Sequence, residues 1–248
     1  MRNILLTLSY KGTRYHGSQV QKNALSVIQV VQDAIQAVYH QRYDIKGCSR
    51  TDAGVHANMY CLNFRTESPM PVRKIPLALN AHLPGDISVY RAQQVPDDFH
   101  ARYSCSEKEY VYKLLDTRFG SPFYEELSYV RGFGLNADDL HRQAQQLVGT
   151  HDFRAFCSQK TDQQNTTRTV SHFSVQRCGD LVTFTVRADG FLYNMVRIMV
   201  GTLIGLDTGT VHHRIDTILN SGDRSLAGHT APARGLYLNR VFYPDIRP

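Results

Sequence analysis

The chain of 248 residues has no tryptophan and only five cysteines. Cys48, Cys61, Cys105, Cys157 and Cys178 are odd in number, widely scattered and without a Cys-x-x-Cys pair. That spacing argues against a disulfide framework and against a clustered zinc site. Lysine is scarce too: it supplies seven of the 28 basic residues, so arginine carries the positive charge. Arginine forks grip phosphates bidentately and stack on bases. No apolar run approaches the roughly 20 residues of a membrane helix. The richest, Met195 to Leu206, is broken by Arg197 and two glycines. The N-terminus is too short and too alternating for a secretory signal, so a cytoplasmic location is expected. There is no P-loop pattern and no Gly-x-Gly-x-x-Gly after a strand. Gly-x-Ser-x-Gly and His-Glu-x-x-His are missing as well. The expected chemistry uses no cofactor and no metal; His212-His213, the one adjacent histidine pair, reads as surface.

What is present is an ordinary globular balance, 42% hydrophobic and 20% charged, which excludes wholesale disorder or a coiled coil. The length suits one large domain or two small ones. The net charge of +6 is compatible with a polyanionic partner.

Along the chain, Ile4–Tyr10 alternates as a strand. Ser26-x-x-Gln29 opens a helix with the stripe Ile28, Val31, Ile35 and Val38. Strands are expected over Asp44–Cys48, Met59–Phe64 and Ile87–Ala92, with a second helix over Val72–His82. That order is the split βαβ, or ferredoxin-like, arrangement. Its antiparallel sheet packs helices on one face and leaves the other free. A similar series follows: a strand over Glu109–Leu115, a helix capped by Asn136 with the stripe Leu140, Ala144, Leu147 and Val148, and strands over Thr169–Gln176 and Leu181–Ala188. The apolar Tyr193–Leu206 helix, a Val211–Leu219 helix and a Leu236–Phe242 strand complete it. A domain junction is placed near residues 96–106, giving an N-terminal domain over 1–100 and a C-terminal one over 101–248. The fold class is α/β (equally α+β), with two ferredoxin-like halves.

The densest polar segment is Gly47-Cys48-Ser49-Arg50-Thr51-Asp52-Ala53-Gly54-Val55-His56-Ala57. Asp52 sits on a tight turn, and a guanidinium such as Arg50 nearby would keep its carboxylate ionised. An aspartate before glycine is equally a structural turn residue. Tyr110 alternates with Tyr112 and on that pattern could be half of an aromatic pair. Arg197, inside Met195-Val196-Arg197-Ile198-Met199-Val200, must be paired or reach solvent. Leu236 reads locally as a core leucine of the last strand.

The segment Ser49–Ala57 resembles the signature of the tRNA pseudouridine synthase A family, whose core is Arg-Thr-Asp-x-Gly-Val. Tyr10–Gln21, Leu79–Ile87, Phe99–Arg102 with Lys108–Tyr112, Gly149–Phe156, Phe191–Leu203 and Gly235–Leu238 resemble further family blocks in the family's order. The resemblance covers essentially the whole chain. It implies isomerisation of uridine to pseudouridine in RNA, at positions 38, 39 and 40 of the tRNA anticodon stem-loop. It also implies that the two halves are joined through a mainly antiparallel sheet with a central active-site cleft, and that the chain forms a homodimer in which one RNA can contact both subunits. By resemblance Asp52 is the catalytic aspartate: it would add to uracil C6, attack ribose C1′ or deprotonate C2′. The same resemblance has Tyr110 stacking on the flipped uracil, Arg197 pairing with Asp52, Leu236 closing the uracil pocket and Arg50 contacting RNA. Arg14, Arg102, Lys108, Arg154 and Arg168 are further candidates for phosphate contacts. Lys11, Ser18, Cys48 and Lys108 depart from the family pattern. Because Lys11 and Ser18 lie in the N-terminal loop, they leave open a paralogue acting on another RNA, such as ribosomal RNA; a separate alternative is a non-catalytic RNA-binding module with base-stacking sheets.

Overall fold

In the computed structural model, which describes residues 1–158 and 165–248, the chain runs β1 (Arg2–Tyr10), α1 (Val27–Tyr39), β2 (Lys46–Gly47), β3 (His56–Thr66), α2 (Ile75–Asn80), β4 (Ile87–Val95), β5 (Glu107–Leu115), β6 (Tyr129–Val130), α3 (Ala137–Gln145), β7 (Gly149–Asp152), β8 (Thr167–Cys178), β9 (Leu181–Ala188), α4 (Met195–Asp207), α5 (Ile215–Ser221) and β10 (Leu236–Phe242). It divides into two units: Met1–Lys108 with Tyr237–Pro248, and Glu109–Leu236. A cut at residue 100 would leave β10 in the second half; all of it but Leu236 belongs to the first unit.

In the first unit the strand order is β4-β1-β3-β10, with β2 on β3. β1 runs antiparallel to β3 from Arg2↔Thr66 and to β4 from Asn3↔Val95. β10 runs parallel to β3, Tyr237 beside His56. With a partner on either side, β1 buries every residue from Asn3 to Leu8. The sheet face expected to be free is therefore covered there. The turn after β4 and Tyr243 lie on it: Asn3 Nδ2 donates to Phe99 O at 2.9 Å and the Tyr243 hydroxyl to Ala101 O at 2.7 Å.

α1 begins where Ser26 Oγ accepts the Gln29 N–H, and ends at His40 in the left-handed region. Its buried stripe is Val27, Val31, Ala34 and Ile35, rotated slightly from the expected one, so that Ile28 and Val38 sit half-buried at its margins. The second helix is shorter than expected: Val72–Lys74 is a 3-10 turn and α2 covers only Ile75–Asn80. Pro76 explains the break, because proline is tolerated only in a helix's first turn.

In the second unit the order is β5-β9-β8-β7, with β6 parallel to β5. β9 alternates as its sequence predicts, burying Val182, Phe184, Val186 and Ala188. β8 and β9 form an antiparallel hairpin, and α3 packs on β8 behind its Asn136 cap. Ten of the thirteen residues of α4 are buried, as a helix apolar on every side requires.

Candidate active site

In the first unit, Asp52 is half-buried on a turn whose neighbours Thr51 and Val55 are buried. The turn closes through Val55 N–H to Asp52 O, 3.2 Å. A second loop, residues 10–18, braces it. Thr51 N–H donates to Ser18 Oγ at 2.9 Å, Ser18 N–H to Thr51 O at 3.2 Å, and Gly54 N–H to Tyr15 O at 3.2 Å. The Tyr10 hydroxyl meets Thr51 Oγ1 at 2.9 Å, and Gly12 N–H donates to His56 Nδ1 at 2.9 Å. Gly17, at φ +86°, lies so close that a Cβ there would run into the Thr51 carbonyl; only glycine suits both that φ and that approach. Ser18 is fully buried within this packing. The sequence block located Asp52 but not its supports, which come from a loop more than thirty residues earlier.

Arg50 is exposed on the same segment. Arg14 is paired with Asp86 at 2.6 Å, which holds its guanidinium above the ordinary arginine range.

In the second unit, Tyr110 is buried on β5 with its ring edge-on to Phe191, centroids 5.0 Å apart at 83°. Tyr112 packs edge-on to Phe184 at 6.4 Å and donates its hydroxyl to Pro232 O at 2.9 Å. Burial pushes the Tyr112 phenol well above its ordinary range.

Arg197 lies in the first turn of α4, where the helix dipole disfavours a cation. Its Nη1 donates to Asn194 Oδ1 and its Nε to Ala231 O, both at 2.7 Å. Asn194 is the N-cap residue and one of two non-glycine residues at positive φ among those described, φ 61°. Its Nδ2 donates in turn to Ser158 Oγ at 2.8 Å. The segment carrying Ala231 reaches α4 because Gly201 and Gly228 remove both side chains where the backbones cross. Ala231 N–H donates back to Arg197 O at 3.1 Å. Five residues further on, Leu236 begins β10 and is buried. The fold thus gathers Arg197, Asn194 and the segment leading to Leu236 within one unit. Asn194 lies inside the Phe191–Leu203 block but was not among the expected site residues; a polar residue just ahead of an apolar helix was the available signal.

Arg102 is exposed and Lys108 half-buried. Arg154 lies 3.5 Å from Asp152, and Arg168 donates to the Asn165 and Thr167 carbonyls. Among the described residues no group of three His, Cys, Asp or Glu side chains could hold a metal ion, and no helix is long and apolar enough to cross a membrane.

The class is set by comparison with known proteins. The family model for tRNA pseudouridine synthase matches residues 7–104 and 143–244, and the chain belongs to that family. The protein named tRNA pseudouridine synthase A of Thermoanaerobacter sp. (strain X514) is 43% identical over 244 residues, covering 98% of this chain and 100% of its own. Its namesake in Acetivibrio thermocellus is 42% identical over 244 residues, with the same coverage. That of Brachyspira hyodysenteriae is 38% identical over 248 residues, covering 99% of this chain and 100% of its own. Among solved structures, one chain of a Cbf5-Nop10-Gar1 complex overlaps 99% of this chain and 60% of its own at TM-score 0.38 and 12% identity, too loosely to place any residue. Pseudouridine synthases are isomerases, and this chain is therefore an enzyme that rearranges a base and adds nothing to it.

Proposed function

We propose that the protein converts uridine to pseudouridine at positions 38, 39 and 40 of the tRNA anticodon stem-loop, with Asp52 as the catalytic aspartate. The observation that carries this is the braced turn: a half-buried carboxylate whose neighbours are buried and bonded to a second loop, inside the segment Ser49–Ala57 that resembles the family signature. A nucleophile or base must be ionised and must be held against the reacting atom. A turn fixed at Thr51, Gly54 and Val55 does the holding.

The other assignments are made toward the substrate. Tyr110, propped edge-on by Phe191, stacks on the uracil once it leaves its helix. Arg197, whose Nε and Nη1 donate to Ala231 O and Asn194 Oδ1, pairs with Asp52 as the family resemblance implies and helps to hold the reacting nucleotide. Leu236 closes the uracil pocket, and exposed Arg50 takes RNA backbone. The family resemblance also carries a cytoplasmic homodimer, which light scattering at working concentration tests.

The decisive assay is tritium release from tRNA transcripts labelled at uridine C5, with uridine retained at 38, 39 or 40 in turn. Asp52→Ala should lower turnover at least about a thousandfold, the scale of a lost catalytic group, and leave tRNA affinity within a few-fold. Turnover within tenfold of wild type would remove Asp52 from the chemistry. Better turnover on a ribosomal RNA fragment would reassign the substrate.

A further inference from the structure

The turn between β4 and β5 is built far more firmly than a surface connection needs. Asn3 and Asn63, both buried in the sheet, bond each other at 2.9 Å. Each also donates to Phe99 O, at 2.9 and 3.3 Å. Asn63 Oδ1 accepts the Ala101 N–H at 2.9 Å, and the buried Tyr243 hydroxyl donates to Ala101 O at 2.7 Å. Burying polar side chains is costly unless each is hydrogen-bonded, and here the bonds converge on one short turn.

The turn is stiffened from inside as well. His100 Nδ1 accepts the N–H groups of Arg102 and Tyr103, at 3.1 and 3.4 Å, which leaves the neutral ring's proton on Nε2. Ser104 Oγ accepts the His100 N–H at 3.1 Å, and His100 O the Ser104 N–H at 2.9 Å. At the tip, Tyr103 is 76% exposed. Its ring lies 4.4 Å from the His100 ring, and the Arg102 guanidinium sits 5.7 Å from its centroid. Arg102 itself is exposed. Burial, with Lys46 and Arg102 nearby, holds His100 below its ordinary range, so the imidazole adds no charge of its own near neutral pH. Asp97 and Asp98 are exposed at the start of the turn and carry the opposite charge; Arg102 is the cation at its tip.

We propose that the Arg102–Tyr103 turn is an RNA subsite separate from the reacting uridine, in which an unpaired base of the substrate tRNA stacks on Tyr103 and Arg102 takes a neighbouring phosphate. The inference rests on the chain's acting on tRNA, as proposed above. A rigid, solvent-facing aromatic beside an arginine matches single-stranded nucleic acid: every base offers a π-face, and stacking is tolerant of sequence. Pre-ordering the ring means little side-chain freedom is lost when a base docks.

The absence of tryptophan gives a direct probe. Tyr103→Trp places a single tryptophan at the site, excited apart from the tyrosines, and saturating tRNA should quench its emission by more than half. Tyr103→Ala should raise KM for tRNA about fivefold or more, the low end for one stacked base, with kcat unchanged, while Tyr103→Phe restores the wild-type KM. Arg102→Ala should flatten the slope of log affinity against log salt by about 0.7–0.9, which Tyr103→Ala leaves alone. Unquenched emission while filter retention shows tRNA bound, or an unchanged KM for Tyr103→Ala, overturns the subsite and leaves the assigned activity standing. Failure of the wild-type protein to bind or turn over tRNA overturns both.

Discussion

The crossing of α4 with the segment that follows α5 can be tested by a single added methyl. A Cβ on Gly201 would stand 1.9 Å from His229 O, where real Cβ atoms do not come within 3.0 Å. The carbonyl must then retreat by at least 1.1 Å (3.0 − 1.9). That movement would strain the two bonds nearby, Arg197 Nε to Ala231 O at 2.7 Å and Ala231 N–H to Arg197 O at 3.1 Å. Overpacking costs about 1–3 kcal/mol, and each lost hydrogen bond about 0.5–1.5 kcal/mol. Opposing them is helix propensity, which favours alanine over glycine by about 0.8–1 kcal/mol. The balance for Gly201→Ala is a destabilisation of about 3 kcal/mol, or roughly 6–12 °C in Tm for a chain of this size. Urea unfolding followed by circular dichroism reads it, with Gly85→Ala as control because nothing lies within 4 Å of that added Cβ. The sign is what matters. A midpoint that rises, as propensity alone dictates, would refute the close crossing and with it the support it gives Arg197.

Two further predictions concern the second unit. Asn194→Ala removes both side-chain bonds and leaves a Cβ at positive φ, whereas Asn194→Gly removes the bonds but relieves the backbone. The glycine variant should be the more stable of the two by about 1 kcal/mol, with turnover reduced in both; equal stability would contradict the left-handed cap. Asp116 is the second case. Burial raises its carboxyl, but Arg177 at 2.5 Å and the backbone N–H groups of Phe133, Leu135 and Gly134 outweigh it and hold the carboxyl below the ordinary carboxylate value. A depressed pKa gives stability that is present above about pH 4 and is lost as pH falls through the folded-state value. Asp116→Asn should therefore cost roughly 3 kcal/mol at pH 7, a gap that shrinks by pH 3. An equal gap in urea midpoints at both pH values would show that the carboxylate's charge contributes nothing.

Much of the fold was legible because its long elements carry a clean period. β9 reads directly from Val182, Phe184, Val186 and Ala188, and β10 from Leu236 to Phe242. β6 and β7, of two and four residues, are too short to show a period. They exist because a neighbouring strand offers free hydrogen-bonding groups. α2 was overestimated because a hydrophobic period says nothing of the N–H that Pro76 lacks. The site divides the same way. Asp52 lies in one contiguous block, which a sequence displays. The bonds that fix it come from Tyr10, Tyr15 and Ser18, and those that fix Arg197 come from Asn194 and Ala231. Side-chain to backbone bonds across such separations leave no periodic trace. Ser18 illustrates the limit: by resemblance it was only a departure, and in the fold it is the hydroxyl that accepts the Thr51 N–H.

The parallel pairing of β10 with β3 has a consequence for how the protein is made. His56 and Ala57, which follow the Asp52 turn, find their strand partners Tyr237 and Leu238 only after the 128 residues of the second unit have been synthesised. At about 5–20 residues per second that is a wait of roughly 6–26 seconds. Throughout it the start of β3 has an open edge, and His56 lacks the Tyr237 ring that lies 4.7 Å away in the finished chain. The aspartate's turn thus lacks the support of Tyr237 until the second unit has been synthesised, so a nascent chain stalled before that point carries Asp52 on an unfinished turn.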